Sequence, residues 1–124
     1  MRVLIVDDNR DMVLTLGILL RSEGYEVQLV ESGEQALAEV ARFRPHVVLL
    51  DIEMPERNGF EVARELTRRY PDDCPVLVAV TAHNDDEARR TAEVSGFHHF
   101  VSKPYRPYAM LKLVDEVTRA VSRN

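Results

Sequence analysis

The feature that most constrains this chain is a pattern that recurs along its whole length. A short apolar run is followed by a turn, then by a stretch whose apolar residues return every three or four positions. The runs are 3–6, 27–30, 47–50, 76–80 and the pair Phe100-Val101. The periodic sets are Met12, Val13, Leu16, Leu19 and Leu20, then Ala36, Leu37, Val40 and Ala41, then Phe60, Ala63 and Leu66, and last Met110, Val114, Val117 and Val121. A sparser set, Ala88, Ala92 and Val94, marks a helix over 85–95 that can dock only weakly. Spacings of three and four line one side of a helix. Strands that alternate with helices build βαβ units, hence a parallel sheet covered on both faces. A chain of 124 residues has room for one such sheet, so 1–124 reads as a single domain.

Burial predicts the strand order. The runs 3–6 and 47–50 are apolar throughout and belong in the middle of the sheet, covered on both sides. Residues 26–30 alternate partly with polar side chains, and the fifth strand begins at His98 and His99, so both are edges. The result is a five-stranded, doubly wound α/β sheet of order 2-1-3-4-5 with five helices. Its chain reversal lies between the first and third strands, where open α/β sheets bind ligands beyond the carboxyl ends of the strands. The punctuation agrees. Ser32 with Gln35 and Asn84 with Glu87 match capping boxes, Pro107 suits a first helical turn, and Gly24 and Gly96 stand where helices stop.

Composition removes several classes of function. Sixteen Lys and Arg against 21 Asp and Glu leave a net charge of −5, a poor match to a phosphate backbone, so direct nucleic-acid binding is not expected. One cysteine, Cys74, allows neither an internal disulfide nor a thiol cluster for zinc. The stretch 12–20 is interrupted by Thr15 and Gly17 and is far shorter than the roughly 20 residues of a membrane-spanning helix. The chain enters an apolar strand directly after Met1-Arg2, without the arrangement of a secretion signal, so a cytoplasmic protein is expected.

The chemistry-bearing residues fall at the strand ends. The first strand runs into Asp7-Asp8, the third into Asp51, the fourth into Thr81 and the fifth into Ser102-Lys103. Taken singly, each has an ordinary explanation: Asp8 as a helix cap, Thr81 as a turn residue, Lys103 as a solvated charge. Jointly they place three carboxylates, a hydroxyl and an ammonium on one sheet edge. Carboxylates packed that closely have raised pKa values unless a cation sits among them. Oxygen-only ligands select a hard ion such as Mg²⁺. An ion held by carboxylates opposite a lysine is suited to phosphoryl chemistry. The histidines do not compete, because His98 and His99 are adjacent on a strand and His46 and His83 are solitary.

With these residues in place, the sequence resembles the receiver domains of two-component response regulators, the CheY-like family. The resemblance rests on Asp7-Asp8, on Asp51 in Asp51-Ile52-Glu53-Met54-Pro55, and on Gly59, Thr81-Ala82 and Lys103-Pro104, and it covers essentially the whole chain. It implies that Asp51 accepts a phosphoryl group from a phosphohistidine on a histidine kinase or histidine phosphotransfer protein. It implies Mg²⁺ held by Asp8, Asp51 and the main-chain carbonyl of Glu53, with Asp7 acting through a water, and Lys103 paired with a phosphoryl oxygen. Thr81 and Phe100 match the switch positions, and Glu53 and His83 match positions that tune loss of the phosphoryl group. A cis peptide is expected before Pro104. The signalling face implied is the fourth helix, fifth strand and fifth helix, with Phe97, Tyr105 and Tyr108 nearby.

Only Ser122-Arg123-Asn124 follows the last helix, which reads as a stand-alone regulator or as a receiver cut from a longer regulator or hybrid kinase. The message then passes to a downstream protein or to a fused output or kinase module. Two other readings stay open at this level. A Mg²⁺-dependent phosphohydrolase with an aspartyl nucleophile uses a similar sheet, but with its nucleophile after the first strand and with a cap insertion that these short loops lack. A degenerate receiver serving only for docking would not need every charged site residue.

Overall fold

Continuous apolar strands separated by amphipathic helices fold here into one sheet with helices on both sides. The structure, a computed structural model, describes residues 1–54 and 57–122. In chain order the elements are β1 (Arg2–Val6), α1 (Arg10–Ser22), β2 (Glu26–Val30), α2 (Gly33–Phe43), β3 (Val47–Asp51), α3 (Gly59–Arg69), β4 (Val76–Thr81), α4 (Asp86–Ser95), β5 (His99–Ser102) and α5 (Pro107–Ser122). All five strands are parallel, in the order β2-β1-β3-β4-β5. β3 is buried along its whole length, whereas the edge strands β2 and β5 keep exposed or half-buried residues. Burial on two faces is what demanded unbroken apolar runs in the centre.

Successive strand side chains point to opposite faces, so each run supplies two cores. Val3, Ile5, Val47, Leu49, Val78 and Val80 pack against α1 and α5. Leu4, Val6, Val48, Leu50, Leu77 and Ala79 pack against α2, α3 and α4. Leu66 of α3 lies at the centre of the second core with no exposed surface. Leu66→Ala should therefore lower stability by about 3 kcal/mol, the transfer term plus the cavity left behind, read as a fall in the urea midpoint at unchanged slope.

The helix ends match the expected punctuation with one exception. Ser32 Oγ accepts from Gln35 N at 3.2 Å, while Gln35 Oε1 reaches back to Glu31 N. α5 begins at Pro107, and Gly96 ends α4 in the left-handed region at φ 112°. The exception is Asn84: Asp85 caps α4, its Oδ1 accepting from Ala88 N at 2.7 Å, and Asn84 Oδ1 is taken by the Arg89 guanidinium. Among the periodic apolar positions of α1, α2, α3 and α5, Ala41 is exposed, and Met12, Leu19, Phe60 and Val121 are half-buried. The buried residues of α4 are Ala92 and Ser95, and Val94 faces solvent, in line with weak docking of this helix. Phe97, read from the sequence as lying near the signalling face, is buried instead, edge-on to Phe60 at 6.5 Å between ring centroids.

Candidate functional site

Each strand end is tied to its neighbour by a backbone bond beyond the ladder, and these bonds position the site. Asp7 N donates to Val30 O at 3.1 Å, Ile52 N to Val80 O at 3.1 Å, and Lys103 N to Thr81 O at 2.7 Å. Asp7 and Asp51 each fold their own turn, because Asp7 Oδ1 accepts from Asn9 N at 2.9 Å and Asp51 Oδ1 from Glu53 N at 3.1 Å. Short acidic side chains close such turns two residues ahead. The loop after β3 returns at Gly59, whose N–H bonds Ile52 O at 2.9 Å. A Cβ on Gly59 would lie 2.7 Å from both Asp51 O and Ile52 Cα, so only glycine permits that approach.

The side chains converge as their places in the sheet require. Oxygens of Asp7, Asp8 and Asp51 all lie within 4.8 Å of one another, with Asp7 and Asp51 buried and Asp8 exposed. Lys103 Nζ stands between two of them, 3.1 Å from Asp7 Oδ2 and 3.3 Å from Asp51 Oδ2. Burial first, and then the Asp7 charge, push the Asp51 carboxyl up to about 6, with Lys103 and the Glu53 N–H opposing the rise. Burial alone would lower the Lys103 ammonium, but its hydrogen bonds and charge interactions with Asp7 and Asp51 outweigh this and raise it. One ammonium against three carboxylates leaves a net negative, partly buried cluster of oxygen donors with one exposed member. That donor set fits a hydrated divalent cation of the Mg²⁺ type.

A second group adjoins the cluster. The Thr81 hydroxyl, buried at the end of β4, donates to Glu53 Oε1 and accepts from His83 N at 3.0 Å. Glu53 Oε1 also accepts from Ala82 N at 3.2 Å. Burial would raise the Glu53 carboxyl, but the bonds from Thr81 and Ala82, with the nearby His83, hold it below its ordinary value. His83 Nε2 is 4.0 Å from Glu53 Oε1 on a largely exposed side chain.

Phe100 is half-buried on β5, and the Arg89 guanidinium covers its ring at 4.7 Å from the centroid. The same guanidinium holds Asn84 Oδ1 through Nη2 at 2.7 Å. Sequence reading missed Arg89, because a contact across eleven residues between a helix and an edge strand has no local signature. Tyr105 is half-buried against the α1–α5 core, and its hydroxyl pKa is raised by burial and then by the Asp7 charge. The Lys103–Pro104 peptide is cis. Pro55, quoted with the Asp51 motif, lies outside the described residues, as do Arg123 and Asn124.

Comparison with known proteins agrees with this geometry. The family model described as "Response regulator receiver domain" matches residues 3–115. The DNA-binding response regulator MtrA of Mycolicibacterium smegmatis is 37% identical over 123 residues, covering 99% of this chain and 51% of MtrA. The hybrid signal transduction histidine kinase C of Dictyostelium discoideum is 27% identical over 129 residues, covering 99% of this chain and 10% of the kinase. The chain thus spans about half the length of MtrA and a tenth of the kinase. The chemotaxis protein CheY4 of Vibrio cholerae superposes with a TM-score of 0.87 at 27% identity, over 94% of this chain and 97% of CheY4. A five-stranded 2-1-3-4-5 sheet, an acidic cluster at its reversal point and a family match across nearly the whole chain lead to one conclusion: this chain belongs to the response regulator receiver domain family.

Proposed function

We propose that the chain is a phosphoacceptor switch in which Asp51 takes a phosphoryl group from a phosphohistidine of a histidine kinase or histidine phosphotransfer protein. The observation that carries the reading is the Lys103 ammonium shared between Asp7 and the buried Asp51, within a cluster whose oxygens lie inside 4.8 Å. A carboxyl with a pKa of about 6 is mostly ionised at pH 7 and available as a nucleophile. One of its oxygens attacks phosphorus, the P–N bond breaks, and the imidazole leaves and takes a proton. Lys103 Nζ is placed to meet a phosphoryl oxygen as charge moves onto the Asp51 side. Asp8, Asp51 and the Glu53 carbonyl are the proposed Mg²⁺ ligands, with Asp7 acting through a water. That ion supplies neutralisation of the phosphoryl charge.

The output is conformational. The Thr81 hydroxyl turns to the new phosphoryl oxygen, and Phe100 turns inward as the loop after Thr81 closes. The weak docking of α4 makes it the element able to exist in two arrangements. The α4–β5–α5 face, carrying exposed Val94 and Tyr108, is then read by a downstream protein or a fused output or kinase module. Glu53 and His83 set the lifetime of the phosphorylated state by orienting or excluding the attacking water. The domain is a slowly self-dephosphorylating switch, not a turnover enzyme, and it works in the cytoplasm where phosphohistidine donors are made. Among the described residues no helix is long and apolar enough to cross a membrane. Incubation with acetyl phosphate and Mg²⁺ should add one phosphoryl group to the intact mass, and EDTA should prevent it. An unchanged mass with Mg²⁺ present would refute the reading.

A further inference from the structure

We propose that the Glu53 carboxylate is a built-in stand-in for the phosphoryl group, a latch that holds Thr81 and the loop after it in the unphosphorylated arrangement. The inference rests on the phosphoacceptor reading of Asp51 and deepens it.

The number of donors at this corner is limiting. A threonine hydroxyl has one proton to give, and a backbone amide has one. Thr81 gives its proton to Glu53 Oε1, and Ala82 N gives its own to the same oxygen at 3.2 Å. His83 N donates to Thr81 Oγ1 at 3.0 Å, which occupies the hydroxyl on its acceptor side and leaves its proton for Glu53. Thr81 is buried, with 1% of its surface exposed, so bulk water is poorly placed to replace a lost partner. The single Thr81 proton therefore cannot serve a phosphoryl oxygen and the Glu53 carboxylate at once. Glu53 must release Thr81 before the phosphoryl group can engage it.

The exchange has a built-in trigger. Phosphorylation changes Asp51 from one negative charge to about two, two residues from Glu53, and like charges at that range repel. The carboxylate is expelled from Thr81 by the same event that creates its replacement. Until then the latch opposes the switched state, because charged hydrogen bonds to Thr81 and Ala82 must break first. Glu53 side-chain oxygens thus act on the switch equilibrium, separately from any effect on attacking water.

The test is calorimetric titration of the full chain with beryllofluoride in the presence of Mg²⁺. This stable phosphoryl mimic reports the switch without turnover. Glu53→Ala should bind it roughly 10-fold tighter than the wild type. Glu53→Gln, which keeps the acceptor but not the charge, should fall between the two. In a Thr81→Ala background most of the gain from Glu53→Ala should vanish, because its main partner is gone. Equal affinity for the wild type and Glu53→Ala overturns the latch. A gain that persists undiminished in Thr81→Ala, with Glu53→Gln matching Glu53→Ala, overturns it in favour of simple charge repulsion. The two readings fail differently. A wild type that neither binds beryllofluoride nor is labelled by acetyl phosphate takes down the phosphoacceptor reading and the latch with it. A wild type that does both while Glu53→Ala changes nothing takes down the latch alone.

Discussion

Asp51→Asn should abolish labelling by acetyl phosphate and, in EDTA at pH 7, make the protein more stable than the wild type. The first effect follows from chemistry, since an amide oxygen is too weak a nucleophile to replace a carboxylate. The second follows from electrostatics. Folding raises the Asp51 carboxyl from 3.8 to about 6, mainly by burial and then by the Asp7 charge. Such a shift corresponds to a penalty of up to about 3 kcal/mol when the group is ionised. The sign is opposite to that of a salt-bridged aspartate. Between the two pKa values the folded state binds the extra proton, so this penalty is full above pH 6 and fades as the pH falls. Below about pH 4 it is gone.

Asparagine carries no charge, but its NH₂ group cannot accept from Lys103 or from Glu53 N, and this returns part of the gain. The net increase at pH 7 should be about 1–2 kcal/mol. Paired urea titrations of the wild type and Asp51→Asn from pH 4 to pH 8 check it. A difference that does not shrink toward pH 4 would show that Asp51 is not held in the charged, penalised form. Mg²⁺ should narrow the gap at pH 7, because a cation among the carboxylates relieves the same repulsion.

Gly59→Ala should damage both fold and site although it touches no charged group. The added Cβ would meet Asp51 O and Ile52 Cα at 2.7 Å, and both are backbone atoms that cannot rotate away. Either the N-terminus of α3 or the end of β3 must move, and the Gly59 N to Ile52 O bond at 2.9 Å is strained in both cases. Forced overpacking of this kind costs about 1–3 kcal/mol. Because the β3 end carries Asp51, the labelling rate should also fall by roughly 10- to 100-fold, the usual effect of a displacement near 1 Å at a reacting group.

Gly24→Ala separates the two effects. Gly24 sits at φ 94°, and a Cβ there would meet nothing within 4 Å, so alanine strains only its own backbone. It should cost about 1 kcal/mol and leave labelling at the wild-type rate. Equal labelling by Gly59→Ala and Gly24→Ala would mean that the approach of Gly59 to β3 does not position Asp51.

Much of this molecule was legible in the chain because the signals were local or periodic. The unbroken runs 3–6 and 47–50 required burial on both faces, which put β1 and β3 in the centre and set the reversal between them. From that order alone Asp7, Asp8, Asp51, Thr81 and Lys103 had to share one edge. Two readings failed, one to a competing side chain five residues along the chain and one to a partner distant in sequence. Asn84 matches a capping pattern as well as Asp85 does, but Arg89 takes its side-chain oxygen and Asp85 closes the helix. Phe97 reads as lying near the signalling face, yet it is buried, with Phe60 of α3 edge-on to its ring.

What the sequence by itself determined is therefore the framework: strand and helix positions, sheet order, and which residues meet at the carboxyl edge. These depend on hydrophobic period and strand ends, quantities carried within a few residues of each other. Only the tertiary structure decided how those residues are partnered. The sharing of Lys103 between Asp7 and Asp51, the capture of Thr81 by Glu53, and the Arg89 guanidinium over Phe100 join different loops and strands. Hydrogen bonds and charge interactions are set by distances of a few ångströms, and such distances exist only once the sheet has brought separate segments together.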